Sequence, residues 1–197
     1  MKENVPQILP QSSMLLVMDF QKAILNRISQ FEDLVERANF VISVAREALI
    51  SVGYIHVSFT DEDYALIPAS NKSFGALSSI KAMQIEDPES RIHEFIQPHE
   101  GDLVFRKTRV GAFSTTNLLS ALREKNVDTL ILAGISTSGV VLSTIREAAD
   151  LDFRIYVLRD CCADQDEEVH QVLLDKVFPR QAYLIDSVDF HSIISSQ

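Results

Sequence analysis

The stretch Met14-Leu15-Leu16-Val17-Met18-Asp19-Phe20-Gln21 places five apolar residues in a row and closes them with a carboxylate. A run that is apolar at every position, without alternation, is the pattern of a strand buried on both faces. Such strands belong to parallel sheets covered by helices on each side. Reading outward, Leu34, Ala38, Val41, Ala45 and Leu49 share one face of a helix over 34–50. Gly53 then breaks that helix, and Tyr54–Phe59 forms the second strand. Leu103–Lys107 is the third strand, Thr129–Ala133 a central fourth, Arg154–Leu158 the fifth and Ala182–Ile185 the last. Between them, Ser114 or Thr115 caps a helix bearing Leu118, Leu119 and Leu122, and another helix runs through Val141, Thr144, Ala148 and Leu151. A further helix, capped by Asp164 or Asp166, carries Val169, Val172, Leu173 and Val177 on one face.

Strands alternating with amphipathic helices predict an α/β protein: a single three-layer α/β/α, Rossmann-like domain over 1–197, with a mostly parallel sheet and a core at about 12–190. A length of 197 residues fits one such domain, and no repeat, linker or charge run divides it. Pro68, Gly75, Pro88 and Pro98 punctuate an irregular stretch from Thr60 to Gln97, with one short helix near Glu89–Phe95. A long irregular segment of this kind serves as a lid or binding loop. Asp61, Glu62 and Asp63 within it read as a solvated acidic loop.

The net charge of −10, with 18 basic against 28 acidic residues, leaves no basic stripe for nucleic acid. Basic residues gather once, in Arg106-Lys107-Thr108-Arg109, a cluster suited to one small anion. Met1–Pro6 lacks the charged and apolar regions of a signal peptide, and no apolar run is long enough for a bilayer. The two cysteines, Cys161 and Cys162, are neighbours, and a vicinal pair fits disulfide geometry badly. No disulfide framework or cysteine-rich zinc site follows, and a reducing cytoplasm is the expected location.

In an open α/β sheet, ligands bind outside the carboxyl ends of the strands. That rim collects Asp19, Lys107, the turn Gly134–Gly139 and the Asp160-Cys161-Cys162 run. A carboxylate directly after five apolar residues is desolvated, which raises its pKa unless a cation compensates, and Lys107 is that cation. The plainer alternative makes Asp19 a helix cap and Lys107 a solvated strand end. The turn Gly134-Ile135-Ser136-Thr137-Ser138-Gly139 opens a helix, whose free N–H groups suit an oxyanion, although many such turns only cap with a serine such as Ser138. It matches neither a dinucleotide fingerprint nor a phosphate loop. His56, His93, His99, His170 and His191 form no cluster with ligand spacing, so no metal is expected, and His56 reads as a core histidine. Cys161 and Cys162 read as buried structural residues more readily than as nucleophiles.

Asp19-Phe20-Gln21 after strand one, Lys107 leading to Phe113, and Gly134–Thr137 followed by Thr144 and Ala148 together resemble the isochorismatase-like hydrolase superfamily, which includes cysteine amidohydrolases related to nicotinamidase. The likeness covers nearly the whole chain, to Phe190. It implies a hydrolase with an Asp–Lys–Cys triad, of which Asp19 and Lys107 fill two places while the nucleophile position falls on Val140. It implies a cis peptide before Ser136, an oxyanion turn of Ile135, Ser136 and Val140, and substrate contacts from Gln21, Arg109, Phe113 and Ser136. No cofactor is implied, and Ser58–Asp63 lacks the Asp-x-His of the metal-bearing branch. A small-molecule substrate and a homo-oligomer, dimer or tetramer, are implied as well.

Isochorismatases resemble this arrangement in lacking the thiol while keeping Asp and Lys. Enol-ether hydrolysis follows as the expected reaction, with Asp19 protonating carbon and Lys107 holding both Asp19 and a substrate carboxylate. Arg109, two residues further along the strand, faces the same side and pairs with an acid group, and Phe113 supplies an apolar wall. The small, hydroxylic Ser136-Thr137-Ser138 points away from isochorismate itself, and no aryl-carrier domain is expected after the last strand. The alternatives are a hydrolase using Cys162 or Ser138 as nucleophile, and a degenerate family member that only binds a small molecule.

Overall fold

A computed structural model describes residues 5–194; the leader reading at Met1–Asn4 and the last three residues lie outside them. The strands are β1 (Ser13–Met18), β2 (Ser51–Val57), β3 (Leu103–Lys107), β4 (Thr129–Ile135), β5 (Arg154–Ala163) and β6 (Tyr183–Ile185). They form one sheet in the order β3-β2-β1-β4-β5-β6, with every pair parallel. The helices are α1 (Lys22–Leu25), α2 (Phe31–Glu47), α3 (Asp61–Ala65), α4 (Gly75–Ser79), α5 (Leu118–Glu124), α6 (Leu142–Asp150), α7 (Glu167–Val172) and α8 (Ser187–Ile193). Every residue of β1 and β4 is buried, as unbroken apolar runs require.

Strand alternation divides the core in two. Leu15, Val17, Tyr54 and Ile131 pack against Leu34, Ala38 and Val41 of α2 and Phe190 of α8. Met14, Leu16, Leu130 and Leu132 pack on the other side against α5, α6 and Phe178. This is a three-layer α/β/α sandwich. The chain runs outward from β1 through β2 to β3, then returns to the far side of β1 at β4. Connections diverge there, which opens a crevice at the carboxyl ends of β1 and β4.

Several local expectations are corrected. The long helix spans Phe31–Glu47 and ends through Leu49, whose φ of 61° is left-handed. Gly53 does not break it but lies inside β2, where a Cβ would meet Leu16 Cδ2 at 3.0 Å and Met14 Sδ at 3.2 Å. Its role is close packing across strands. The cap position of α5 is Asn117, and Thr116 Oγ1 accepts from the Leu118 N–H; Ser114 and Thr115 lie upstream. Asp166, not Asp164, caps α7 by accepting from the Val169 N–H. Val169 and Val172 are exposed, while His170, Leu173, Leu174 and Phe178 are buried: the inward face keeps helical spacing but is set by His170 rather than Val169.

β5 extends through Asp160, Cys161 and Cys162 to Ala163, with a register irregularity against β4 between Leu132 and Gly134. Cys161 packs with α2 and α8, and Cys162 on the opposite face. Asp61, Glu62 and Asp63 are the first turn of α3, fixed by a capping box between Thr60 and Asp63 and by a 2.6 Å pair from Arg106 to Asp63. Two short 3₁₀ turns, Pro88–Ser90 and Glu94–Ile96, replace the single helix expected near 89–95. His56 is half-buried, not a core residue. No helix among the described residues is long and apolar enough to cross a membrane.

The Gly53 contacts make a specific prediction. Gly53→Ala forces a methyl against Leu16 and Met14 and is expected to destabilise by about 1–3 kcal/mol, read as a lower urea midpoint at unchanged m-value.

Candidate active site

Asp19 follows β1 directly and adopts φ 59°, a left-handed conformation that aspartate tolerates better than most residues. Its N–H donates to the Ile55 carbonyl at 2.8 Å, and its carbonyl accepts from Gln21 N–H at 2.8 Å. The chain is thereby turned so that the carboxyl meets the end of β3, where Asp19 Oδ2 lies 2.8 Å from Lys107 Nζ. Both side chains are nearly sealed from water. Nζ also donates to the Arg109 and Val110 carbonyls at 3.1 and 3.0 Å, so all three ammonium donors are occupied. Asp19 Oδ1 is buried and has no partner among the described residues. Burial pushes the Asp19 carboxyl above its ordinary range, and the Lys107 charge and hydrogen bond draw it partly back.

At the end of β4 the Ile135–Ser136 peptide is cis, and Thr137–Val141 forms a wide π turn leading into α6. At Gly139 a Cβ would fall 2.7 Å from Ser136 Oγ, so a side chain there would displace that hydroxyl. Asp164 Oδ2 accepts from Ser138 N–H and Oγ–H at 2.7 and 2.6 Å and holds the outer side of the turn. On its inner side, Thr137 Oγ1 and His170 Nδ1 are 2.8 Å apart and buried. A cleft of about 390 Å³ lies between this turn and Asp19–Lys107. Ile24, Ile28, Phe74, Leu77, Met83 and Val110 supply apolar walls, and Ser136, Ser138, Val140 and Asp164 complete its lining. Arg27 also lines it, exposed and in no ion pair among the described residues.

The structure thus gathers Asp19, Lys107, Ile135, Ser136, Ser138 and Val140 around one cleft. It does not bring Gln21, Arg109 or Phe113 to the lining. Gln21 is fully buried: its Oε1 accepts from Val57 N–H and its Nε2 donates to the Val57 carbonyl, both at 2.8 Å, and to the Ser90 carbonyl. It is a backbone clamp. Arg109 misses because β3 ends at Lys107 and the two-residue alternation ends with it. Its guanidinium lies 5.6 Å over the Phe74 ring and bonds the Thr108 carbonyl. Phe113 is buried in the core beside Phe153, with ring centroids 6.2 Å apart.

Cys162 is buried outside the cleft lining, and burial pushes its thiol to about 12. Cys161 is likewise pushed well up, first by burial and then by Asp160. Neither supplies a thiolate near neutral pH. No group of three or more His, Cys, Asp or Glu among the described residues is placed to hold a metal ion. Sequence reasoning missed Arg27, Phe74 and the Asp164 contact; Asp164 was legible only as a possible helix cap.

Residues 13–189 match the model of the isochorismatase domain family. The chain is 31% identical over 172 residues to the uncharacterized isochorismatase family protein YwoC of Bacillus subtilis (strain 168), covering 86% of this chain and 87% of that protein. It is 34% identical over 95 residues to maleamate amidohydrolase of Pseudomonas putida, 48% of this chain and 45% of that protein. A cysteine hydrolase from Pseudomonas syringae pv. phaseolicola shares the fold, with a TM-score of 0.85 at 20% identity over 96% of this chain and 97% of that one.

Removing the Gln21 clamp leaves Val57 backbone groups unsatisfied, so Gln21→Ala is expected to cost about 2–4 kcal/mol in chemical denaturation. Iodoacetamide at pH 8 is expected to leave Cys161 and Cys162 unmodified in the native protein and to alkylate both after unfolding, as mass spectrometry would show.

Proposed function

We propose, from the premise that this chain belongs to the isochorismatase family and is a hydrolase, that it cleaves a small carboxylate-bearing enol ether or related compound through Asp19 and Lys107, with no cysteine nucleophile. The observation that carries this reading is the state of Asp19. Lys107 fixes Oδ2, while Oδ1 is buried without a partner in a site where burial favours the protonated carboxyl. An acid so held presents its proton from Oδ1. Transfer to the vinyl carbon leaves an oxocarbenium-like cation beside the Asp19 carboxylate. Water adds to the cationic carbon and returns a proton to Asp19. The resulting hemiketal collapses to a carbonyl compound and an alcohol.

Lys107 acts on Asp19 alone, because its three donors are already engaged. The expectation that it also holds the substrate carboxylate is revised accordingly. Arg27 is the cation in the cleft lining without an acidic partner among the described residues, and it takes that role. Ser136 lines the substrate cleft and Val140 occupies the nucleophile position as an apolar wall. The Ser138 N–H is held by Asp164 and the Gly139 and Val141 N–H groups by the Ser136 carbonyl, so these three do not serve the substrate. The protein works as a cytoplasmic homo-oligomer, dimer or tetramer. Its net charge of −10 argues against a nucleic-acid partner.

A second reading rests on Ser138, whose Oγ–H donates to Asp164 at 2.6 Å within the same cleft. An amide substrate, of the kind that the name of the Pseudomonas putida relative indicates for that protein, calls for such an acyl acceptor. Cys162 is a poorer candidate, being outside the lining with its thiol pushed up. A purely binding role leaves the buried Asp19 a cost without a chemical return.

Asp19→Asn is expected to lower turnover of a responsive enol ether by at least about 10²-fold while circular dichroism stays native. Full retained activity would refute the proton donor. The rate requires protonated Asp19, so it falls as pH rises through that pKa. Lys107→Met removes the charge that lowers it and is expected to move this alkaline limb to higher pH. An electrophilic acyl reagent is expected to leave Ser138 and Cys162 unlabelled; an adduct on either would favour the second reading.

A further inference from the structure

A second hollow, of about 480 Å³, lies under the 84–98 segment and shares no lining residue with the cleft. Ser58, at the end of β2, and Ser90, in the 3₁₀ turn, line it at 1% and 3% exposure. Both hydroxyls are buried and lack a partner among the described residues. Among the described residues only Asp19 Oδ1 and Arg46 Nε are in the same state, so two such hydroxyls in one wall stand out.

His56, one turn of the pleat from Ser58, also lines the hollow. Burial first, then the Arg106 and Lys107 charges, push its imidazole toward the neutral form, which offers one donor and one acceptor. The charged lining is unbalanced. Lys22 is paired with Glu94 at 2.6 Å, whereas Arg91 is exposed and takes part in no ion pair among the described residues. The lining therefore combines partnerless hydroxyls with one net positive charge.

We propose that this hollow is a binding site for a small oxyanion, a carboxylate or a phosphate, held by the Arg91 guanidinium and the Ser58 and Ser90 hydroxyls. Guanidinium forks match both anions, and serine hydroxyls donate to either. The site is independent of the chemistry assigned to Asp19. Its link to the cleft is Gln21, whose Nε2 donates to the Ser90 carbonyl while its amide clamps Val57 in the cleft wall.

The test is a titration of the full chain with sodium phosphate, and separately with sodium acetate, followed by amide ¹H–¹⁵N shifts with ionic strength held constant by sodium chloride. Saturable shifts are expected at Ser58, Ser90 and Arg91 with at least one anion, and the two arms show which is preferred. Arg91→Ala is expected to weaken binding roughly tenfold or more, the loss of a charge-assisted contact. The double variant Ser58→Ala, Ser90→Ala is expected to weaken it too without lowering the thermal midpoint, since neither hydroxyl has a partner to lose. Asp19→Asn is expected to keep binding, which separates this site from the cleft. Four results would overturn the proposal: no saturable shift, shifts confined to Ser136 and Ser138, unchanged affinity in Arg91→Ala, or a crystal grown with either anion that shows only water in the hollow.

Discussion

One ammonium organises the carboxyl end of the sheet. Lys107 Nζ, almost without contact to water, reaches Asp19 at the end of β1 and two carbonyls of its own following loop. Stripping either partner from such a pair typically costs about 3–5 kcal/mol, because the remaining charge stays buried alone. The loop after β3 must therefore curl back onto its own lysine. That curl places Val110 in the cleft wall and swings Arg109 away over Phe74. A chain whose third strand ran two residues further would keep Arg109 on the Lys107 side and lose the carbonyls that complete the ammonium shell.

Much of this arrangement is legible in the sequence, for a definite reason. A strand buried on both faces prints as an unbroken apolar run, so β1 and β4 announce themselves and their ends locate the rim. Asp19 and Lys107 are conspicuous because each is a charge at the edge of such a strand. The sequence pattern misleads where a period is carried past the element that sustains it or set one residue off. Alternation aims Arg109 at the cleft only for a strand that continues past Lys107, where β3 ends. Val169 and Val172 are exposed because the face that α7 buries is set by His170, Leu173 and Leu174, and a polar histidine hides that face from an apolar pattern. Gly53 reads as a helix stop in one dimension, although its absent side chain makes room for Leu16 and Met14 of the paired strand β1.

Contacts between distant segments had no local signature at all. Asp164 meets Ser138 across 26 residues of sequence, and Gln21 meets Val57 and Ser90 across 36 and 69. In each case a polar side chain satisfies backbone or a neighbour that only the closed fold brings near. The amide of Gln21 suits its place because it both donates and accepts, matching the paired N–H and carbonyl of Val57. A residue type that looks like a ligand contact in one dimension is a girder in three.

The long fifth strand has one more effect. Neighbouring residues in a strand point to opposite faces, and Cys161 and Cys162 accordingly belong to different halves of the core. The sheet itself stands between their sulfurs. A bond joining them demands that the strand first be pulled out of the sheet and its backbone folded over. An oxidised pair would thus be a chemical scar of past unfolding, and its absence a certificate that the sheet had never opened.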